Sequence, residues 1–213
     1  MAEEIGLFEA MYTQRALRRY KPDPVSDELV NKLIEAATKA PSGGNRQPWA
    51  FIVIRDQETK RKLGEWYLDA WNRTYGQIAP EQRAALPANM KRVIGSAEHL
   101  AFHLAETPVL IMVCLRDVPL SNLGPAAYAS HYGSVFPAVQ NLLLAARGLG
   151  LGAALTTLHK MHDAEAKELL GVPATVDTVA LNPDGHPTGS YGPTTRLPIE
   201  KVVHRERWDS AKS

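Results

Sequence analysis

Three short stretches of the chain carry residues able to do chemistry. Arg15, Arg18 and Arg19 cluster where a helix-like segment gives way to the breakers Pro22 and Pro24. Arginine's planar fork matches phosphate oxygens, and each sheltered charge-assisted hydrogen bond is worth about 1.5–3 kcal/mol, so two of the three suffice to hold a dianion. The same cluster also reads as a solvated basic turn. In the loop Pro41-Ser42-Gly43-Gly44-Asn45-Arg46-Gln47-Pro48, adjacent glycines leave backbone amides open to close approach, while Ser42, Asn45 and Gln47 offer side-chain donors and acceptors. That combination can read a flat heterocycle with imide edges, and it can equally be an ordinary helix-to-strand connection. Thr156 and Thr157 follow a glycine turn, which places them at a cleft, although threonine is also simply a good strand residue. The seven histidines are scattered; His99 and His103 are four apart on an expected helix but lack a third ligand, so no metal site is expected. No Ser-His-Asp order is present to argue for a protein nucleophile.

The elements that must position these stretches follow from hydrophobic period. Ile5, Phe8 and Tyr12 share a helical spacing over 5–14. Ser26 is an expected N-cap, with Asp27 and Glu28 favoured in the first turn by the helix dipole, for a helix whose apolar face is Leu29, Val30, Leu33, Ile34, Ala37 and Ala40. Pro41 stops it. Trp49–Ile54 and Val109–Cys114 are short, β-branched and apolar, the pattern of buried strands. Between them, 58–104 is helical in tendency, with a weaker stretch over 71–87 that reads as a lid or excursion. The longest periodic segment, Tyr132–Leu149, carries a wide apolar stripe and is expected as a central helix ending at Gly148, Gly150 and Gly152. A third strand over 153–158, a short helix over 163–170, a fourth strand over 176–181 and a glycine- and proline-rich section over 182–197 complete the chain.

Composition limits the classes of function. Twenty-four lysines and arginines nearly balance 23 aspartates and glutamates, leaving no overall field to attract nucleic acid or an anionic membrane. Any anion site must therefore be local. The single cysteine, Cys114, has no partner in its own chain for a disulfide, and no apolar run reaches the roughly 18 residues of a membrane span. The acidic start, Met1–Leu7, is unlike a secretory signal, and a cytoplasmic protein is the expectation.

Taken together, the motifs resemble the FMN-dependent nitroreductase family. The resemblance rests on Arg15-Ala16-Leu17-Arg18-Arg19-Tyr20 followed by Pro24-Val25, on Ala40 through Trp49, on Pro137-Ala138-Val139-Gln140-Asn141 continuing to Gly152, and on Arg196-Leu197-Pro198-Ile199-Glu200-Lys201-Val202-Val203, in that order. It covers roughly residues 5 to 207. It implies an α+β fold, a three-layer α-β-α sandwich around a mixed central sheet of four to five strands, in an intertwined homodimer. A single domain over 1–213 is expected, with the excursion at about 58–104 and a C-terminal extension at about 198–213.

For the site, the resemblance implies that Gln14, Arg15, Ala16 and Arg18 meet the FMN phosphate and ribityl chain, joined by Arg196. Family members often have serine at the position of Ala16, so one hydroxyl contact is lost here. Ser42, Gly44, Asn45 and Gln47 would run beside the flavin, with Asn45 at the pyrimidine ring. Ser134, Val135, Phe136 and Pro137 would cover the benzenoid side from the partner subunit. Leu155, Thr156 and Thr157 would reach the hydride-accepting nitrogen, with Thr157 as the catalytic donor. The implied reaction passes hydride from NADH or NADPH through FMN to a small-molecule electron acceptor such as a nitroaromatic, a quinone or free flavin, by a ping-pong mechanism.

Trp66, Tyr67 and Trp71 in the excursion are candidate substrate residues, forming either an aromatic roof or packing at a dimer interface. Two branches of the superfamily fit less well: the glutamate, tyrosine and lysine pattern with which iodotyrosine deiodinases grip their substrate is not evident, and the flavin-destroying branch normally has an aspartate where this chain reads Ala16-Leu17. An FMN-binding sequestering or sensory module without turnover would carry the same phosphate and loop motifs, as would a dehalogenase, and both stay open at this level.

Overall fold

The computed structural model describes residues 5–116 and 124–208. Four strands form one sheet in the order β1-β2-β4-β3, with β1 at Trp49–Ile54, β2 at Val109–Leu115, β3 at Gly152–Ala153 and β4 at Asp177–Gly185. Every pairing among the described residues is antiparallel, so the expected mixed sheet is not found within one chain. The connections explain this. Helices α3 (Gln57–Thr74), α4 (Pro80–Ala85) and α5 (Ala88–His103) lead the chain out from β1 and back, so β2 enters the sheet running the opposite way. The single long helix α6 (Pro125–Gly148) returns the chain so that β3 runs in the same sense as β2, and β4 slots between these two, opposing both.

Helices cover both faces. On one side, α2 (Asp27–Thr38) and α6 pack on Val109, Ile111, Val113 and Leu115 of β2. On the other, α3, the end of α5 and α7 (Asp163–Leu170) pack on Leu110, Met112 and Cys114. The alternation along β2 thus divides its side chains between two cores, and every residue of this strand is buried. Burial pushes the Cys114 thiol up to about 11, which keeps it an unreactive core residue.

Local signals set most of these boundaries. Ser26 Oγ accepts the Leu29 amide at 3.3 Å at the start of α2, and Asp56 accepts the Thr59 amide at 2.8 Å at the start of α3. Gly171 closes α7 with φ 64°. Helix α6 begins seven residues before the expected Tyr132, with Pro125 in its first turn. Its early turns are exposed and lack the core-facing stripe, which is why the period missed them. Two strands differ from expectation. The segment over 153–158 pairs continuously only at Gly152–Ala153, then again through a single bridge at Thr156 to Leu181. Conversely β4 runs on through Asn182-Pro183-Asp184-Gly185, a string that reads as a turn but is fully buried between β2 and β3. Of the excursion, α3 and the second half of α5 form one helical layer, leaving α4 and the first half of α5 at the surface. The C-terminal extension is followed to Trp208; residues 209–213 lie outside the described residues. Among the described residues no helix is long and apolar enough to cross a membrane.

The site depends on how residues 15–21 lie across the β3 end of the sheet. The Leu17 amide donates to Ala153 O at 3.2 Å, Lys21 N to His186 O at 2.7 Å and Thr188 N to Arg19 O at 3.0 Å. The Tyr20 hydroxyl proton lies between the carbonyls of Leu17 (2.6 Å) and Pro183 (2.9 Å). This approach requires glycine beneath it: a Cβ on Gly185 would meet Pro108 Cδ at 2.9 Å and Tyr20 at 3.0 Å, and one on Gly152 would meet Pro187 at 3.0 Å and Leu17 at 3.2 Å.

Gly185→Ala is accordingly expected to lower stability by about 1–3 kcal/mol through overpacking, read as a drop in urea midpoint at unchanged slope. A second expectation concerns acid. Desolvation pushes the buried His159 imidazole down to about 4 from 6.5, so between those values the unfolded chain binds a proton that the folded one refuses. Stability from the neutral ring is complete at pH 7 and falls as pH drops; by pH 5 this group alone removes about 2 kcal/mol. Comparing urea unfolding of the wild type and His159→Gln at pH 7 and pH 5 measures it, because other groups, including the buried Asp184, are common to both proteins.

Candidate functional site

The basic segment borders a cavity of about 180 Å³ lined by Arg15, Ala16, Arg18, Arg19, Ser96 and Thr188 among others. Among the described residues no carboxylate lines it. Arg15 and Arg18 make no hydrogen bond or salt bridge among the described residues, so both forks are available to a ligand, whereas Arg19 Nη1 lies 3.0 Å from His99 Nδ1. His99 is held below the ordinary histidine range by burial first and by the Arg19 charge second. His99 and His103 stack at 4.2 Å, and His103 pairs with Glu106, so the two imidazoles serve contacts within the protein.

Several residues fix this segment. Gln14, the C-cap of α1 (Leu7–Thr13), is held by its amide on Ala10 O. Arg147 on α6 donates Nε to Thr13 Oγ1 at 2.8 Å, pairs with Glu9 and lies 4.7 Å over the Tyr191 ring, whose hydroxyl donates to Leu151 O. Beneath lies Asp184, fully buried without a hydrogen-bond partner among the described residues. Burial holds its carboxyl well above the usual carboxylate range. Tyr20 is likewise raised, by burial and then by Asp184.

The threonine turn belongs to the same corner. Tyr67 on α3 shares a 2.8 Å hydrogen bond with Thr156 Oγ1. The Arg18 charge partly offsets the rise that burial imposes on Tyr67, which places Arg18 near this pair. Thr156 is thus turned inward and engaged. Thr157 is exposed, and its hydroxyl makes no hydrogen bond among the described residues, leaving it available. Leu155 is half-buried against the core of β2 and α6. Just after this turn, Lys160 pairs with Asp163 and with Asp177 at 2.6 Å, and Asp177 accepts the Tyr132 hydroxyl at 2.7 Å. This network fastens the turn to the start of β4 and to α6.

Arg196 is exposed and donates only to the Thr195 carbonyl. Two residues earlier, Thr194 hydrogen-bonds through its amide and hydroxyl to Tyr12 O, each at 3.1 Å, which ties this part of the tail to the end of α1.

The loop at 41–48 occupies a different corner. Gly44 (φ 60°), Asn45 (φ 53°) and Gln47 (φ 49°) all adopt left-handed backbone, a strain seen at binding sites. Ser42 Oγ accepts the Gln47 amide at 3.0 Å, Gln47 Nε2 donates to Asn45 Oδ1 at 3.3 Å, and Ser134 Oγ accepts the Gly43 amide at 3.1 Å. Ser134 therefore serves as a brace between α6 and the loop. Val135 is turned fully into its own core, which corrects its expected place against a ligand, while Phe136 and Pro137 stay on the outer side of α6.

The aromatic roof is also corrected. Tyr67 and Trp71 are 3 % and 4 % exposed and pack in the core beneath α3, because they lie on its inward face. Trp66 is half-buried and stacks on His162. Arg19, Ser96, Thr188 and Tyr20 join the site without having been anticipated as its members. Arg19 was legible in the basic cluster, but Ser96 and Thr188 carry no local signal.

Comparisons with known proteins identify the family. A profile described as the Nitroreductase family matches residues 12–185. An Archaeoglobus fulgidus protein described as "Putative NADH dehydrogenase/NAD(P)H nitroreductase" is 31 % identical over 203 residues, covering 93 % of this chain and 96 % of that protein. The iodotyrosine deiodinase of Drosophila melanogaster is 27 % identical, covering 85 % of this chain and 62 % of the deiodinase. Among solved structures, an NADPH:FMN oxidoreductase from Vibrio harveyi, complexed with NAD+, superposes with a TM-score of 0.71 at 20 % identity over 95 % of this chain and 78 % of its own, a likeness of fold. With the match spanning most of the chain and the three-layer architecture in place, the protein belongs to the nitroreductase family of oxidoreductases.

Proposed function

We propose that the chain binds FMN and passes hydride from NADH or NADPH through it to a small organic acceptor, a nitroaromatic, quinone or free flavin, in two separate half-reactions. One observation carries the reading: a cavity in which, among the described residues, no carboxylate stands and two arginine forks without hydrogen-bond or salt-bridge partners, a third arginine and two hydroxyls converge, a donor set suited to a phosphate dianion. When bound, the flavin supplies hydride acceptance and donation at one ring position, and the two substrates use its exposed face in turn.

The chain's own residues bind and orient. Arg15 and Arg18 hold the phosphate, Gln14 and Ala16 contact it through backbone, and Arg196 closes in from the tail tied to Tyr12. The Thr156–Tyr67 bond sets the height of the turn so that Thr157 donates toward the ring nitrogen, with Leu155 beside it. Left-handed backbone at Gly44, Asn45 and Gln47, with Ser42, presents polar groups to the pyrimidine edge, and Ser134 and Pro137 back that loop. Holding the nicotinamide carbon within about 3.5 Å of the ring is then a matter of positioning.

A homodimer follows from the placement of these groups. The loop at 41–48 enters β1 at the end of the sheet marked by Leu115 and Asp177, and the basic segment sits beside β3 at the opposite end, near Asp184. With strands spaced about 4.8 Å and residues about 3.3 Å apart, these are diagonal corners roughly 25 Å from one another. Two chains are needed for both to meet one flavin. The exposed apolar residues Leu7, Phe8, Tyr12, Leu197, Ile199 and Trp208, each more than 60 % exposed, offer the surface for that pairing. The deiodinase relative favours a reductive dehalogenase as the second reading.

Purified protein is expected to be a yellow dimer yielding FMN on extraction. Its absorbance near ~450 nm should bleach under anaerobic NADH or NADPH and return on adding a nitroaromatic or quinone. Colour that persists with both nicotinamides would point to a binding module, iodide release from diiodotyrosine to a dehalogenase, and a colourless protein that takes up no FMN would end the proposal. Arg18→Ala should raise the Kd for FMN by about 30- to 1,000-fold, on the order of 2–4 kcal/mol, in a fluorescence titration of the apoprotein.

A further inference from the structure

A second cavity, of about 290 Å³, lies beside the loop at 41–48, away from the basic segment. Arg46, Arg116, Ser130, His131 and Ser134 line it together with Gly43. Among the described residues no acidic side chain contributes to the lining. The Arg46 amide donates to Gly43 O at 3.3 Å, but its guanidinium makes no hydrogen bond or salt bridge among the described residues. Arg116 spends a single Nη2–H on Gln47 O at 3.3 Å and is anchored by its own amide on Pro48 O at 2.6 Å, which leaves most of its five donors unused. Ser134 Oγ is occupied by the Gly43 amide and the Ser130 carbonyl, and His131 Nδ1 by Ala127 O, so the wall is rigid where it is not arginine. Two guanidinium groups lining one cavity repel one another, and in a chain whose formal charge is +1 no overall field demands them there.

We infer that this cavity is an oxyanion subsite that selects acceptors bearing a carboxylate or phosphate. Resting on the proposed function, it deepens that reading: the lining residue Gly43 is continuous with Ser42, Gly44 and Asn45, so an acid group seated between Arg46 and Arg116 leaves the ring that carries it directed to the flavin loop. The volume takes a single aromatic ring with its acid group and is too small for a whole dinucleotide, which favours the acceptor over the donor as the source of the anion.

The test is acceptor selectivity in the flavin-loaded dimer. The wild type is expected to prefer 4-nitrobenzoate over nitrobenzene in kcat/KM, and Arg46→Ala should lower that preference by about tenfold or more, the loss of one charge-assisted contact, with Arg46→Glu lowering it further. Arg116→Gln, which keeps a donor for Gln47 O, should act in the same direction. A readout independent of turnover is calorimetric binding of benzoate and of inorganic pyrophosphate to the oxidised protein, weakened by the same variants. If KM for NADPH rises with Arg46→Ala while the acceptor preference stays put, the anion belongs to the donor and the acceptor assignment is overturned. Failure of both benzoate and pyrophosphate to bind, or a loss of FMN itself in Arg46→Ala, overturns the subsite. These results differ from failure of the proposed function, in which the wild-type protein lacks FMN or turnover from the outset.

Discussion

The backbone of residues 15–21 lies against the β3 edge of the sheet closely enough that only glycine fits beneath it, and the placement of the basic cavity follows from that contact. Three backbone hydrogen bonds and the Tyr20 hydroxyl hold the segment to Ala153, His186, Thr188 and Pro183. Leu17 and Tyr20 pack over Gly152, while the Arg18 charge is felt at Tyr67, the partner of Thr156. The arginines of this segment are thereby held by main chain, and their charged heads need no acidic partners to fix them.

A rigid frame makes this possible at small cost in polar burial. The β4 segment Asn182–Gly185 carries two side chains, Asn182 and Asp184, with unpartnered buried atoms. Such groups oppose folding by roughly 1–3 kcal/mol each, and they persist beside the strand edge on which the basic segment rests. For Asp184, burial pushes the carboxyl well above the usual carboxylate range, which disfavours its charged form.

The four-stranded sheet presents two different surfaces at opposite corners, one basic and backed by threonine, the other glycine-rich and backed by the first half of α6. Each surface is shaped by its own local chain, and exposed aromatics such as Phe8, Tyr128 and Phe136 lie outside the cores.

Sequence by itself determined a good deal. The cap Ser26, the apolar period of α2 and α6, and the β-branched runs of β1 and β2 are local properties, and each of these elements stands within a turn or so of where its residues place it, apart from the early turns of α6. The arginine cluster and the Ser42–Gln47 loop were likewise legible, because phosphate binding and left-handed backbone both demand particular residue types. Tertiary structure decided the rest. Asn182-Pro183-Asp184-Gly185 has the composition of a turn, yet β2 and β3 on either side supply its hydrogen bonds and hold it in a strand. Tyr67 and Trp71 look like ligand aromatics until the inward face of α3 buries them. Ser96, Thr188, Arg116 and His131 enter the two cavities through contacts between segments far apart in the chain. No local pattern encodes such contacts, since they depend on which helix the sheet brings alongside which loop.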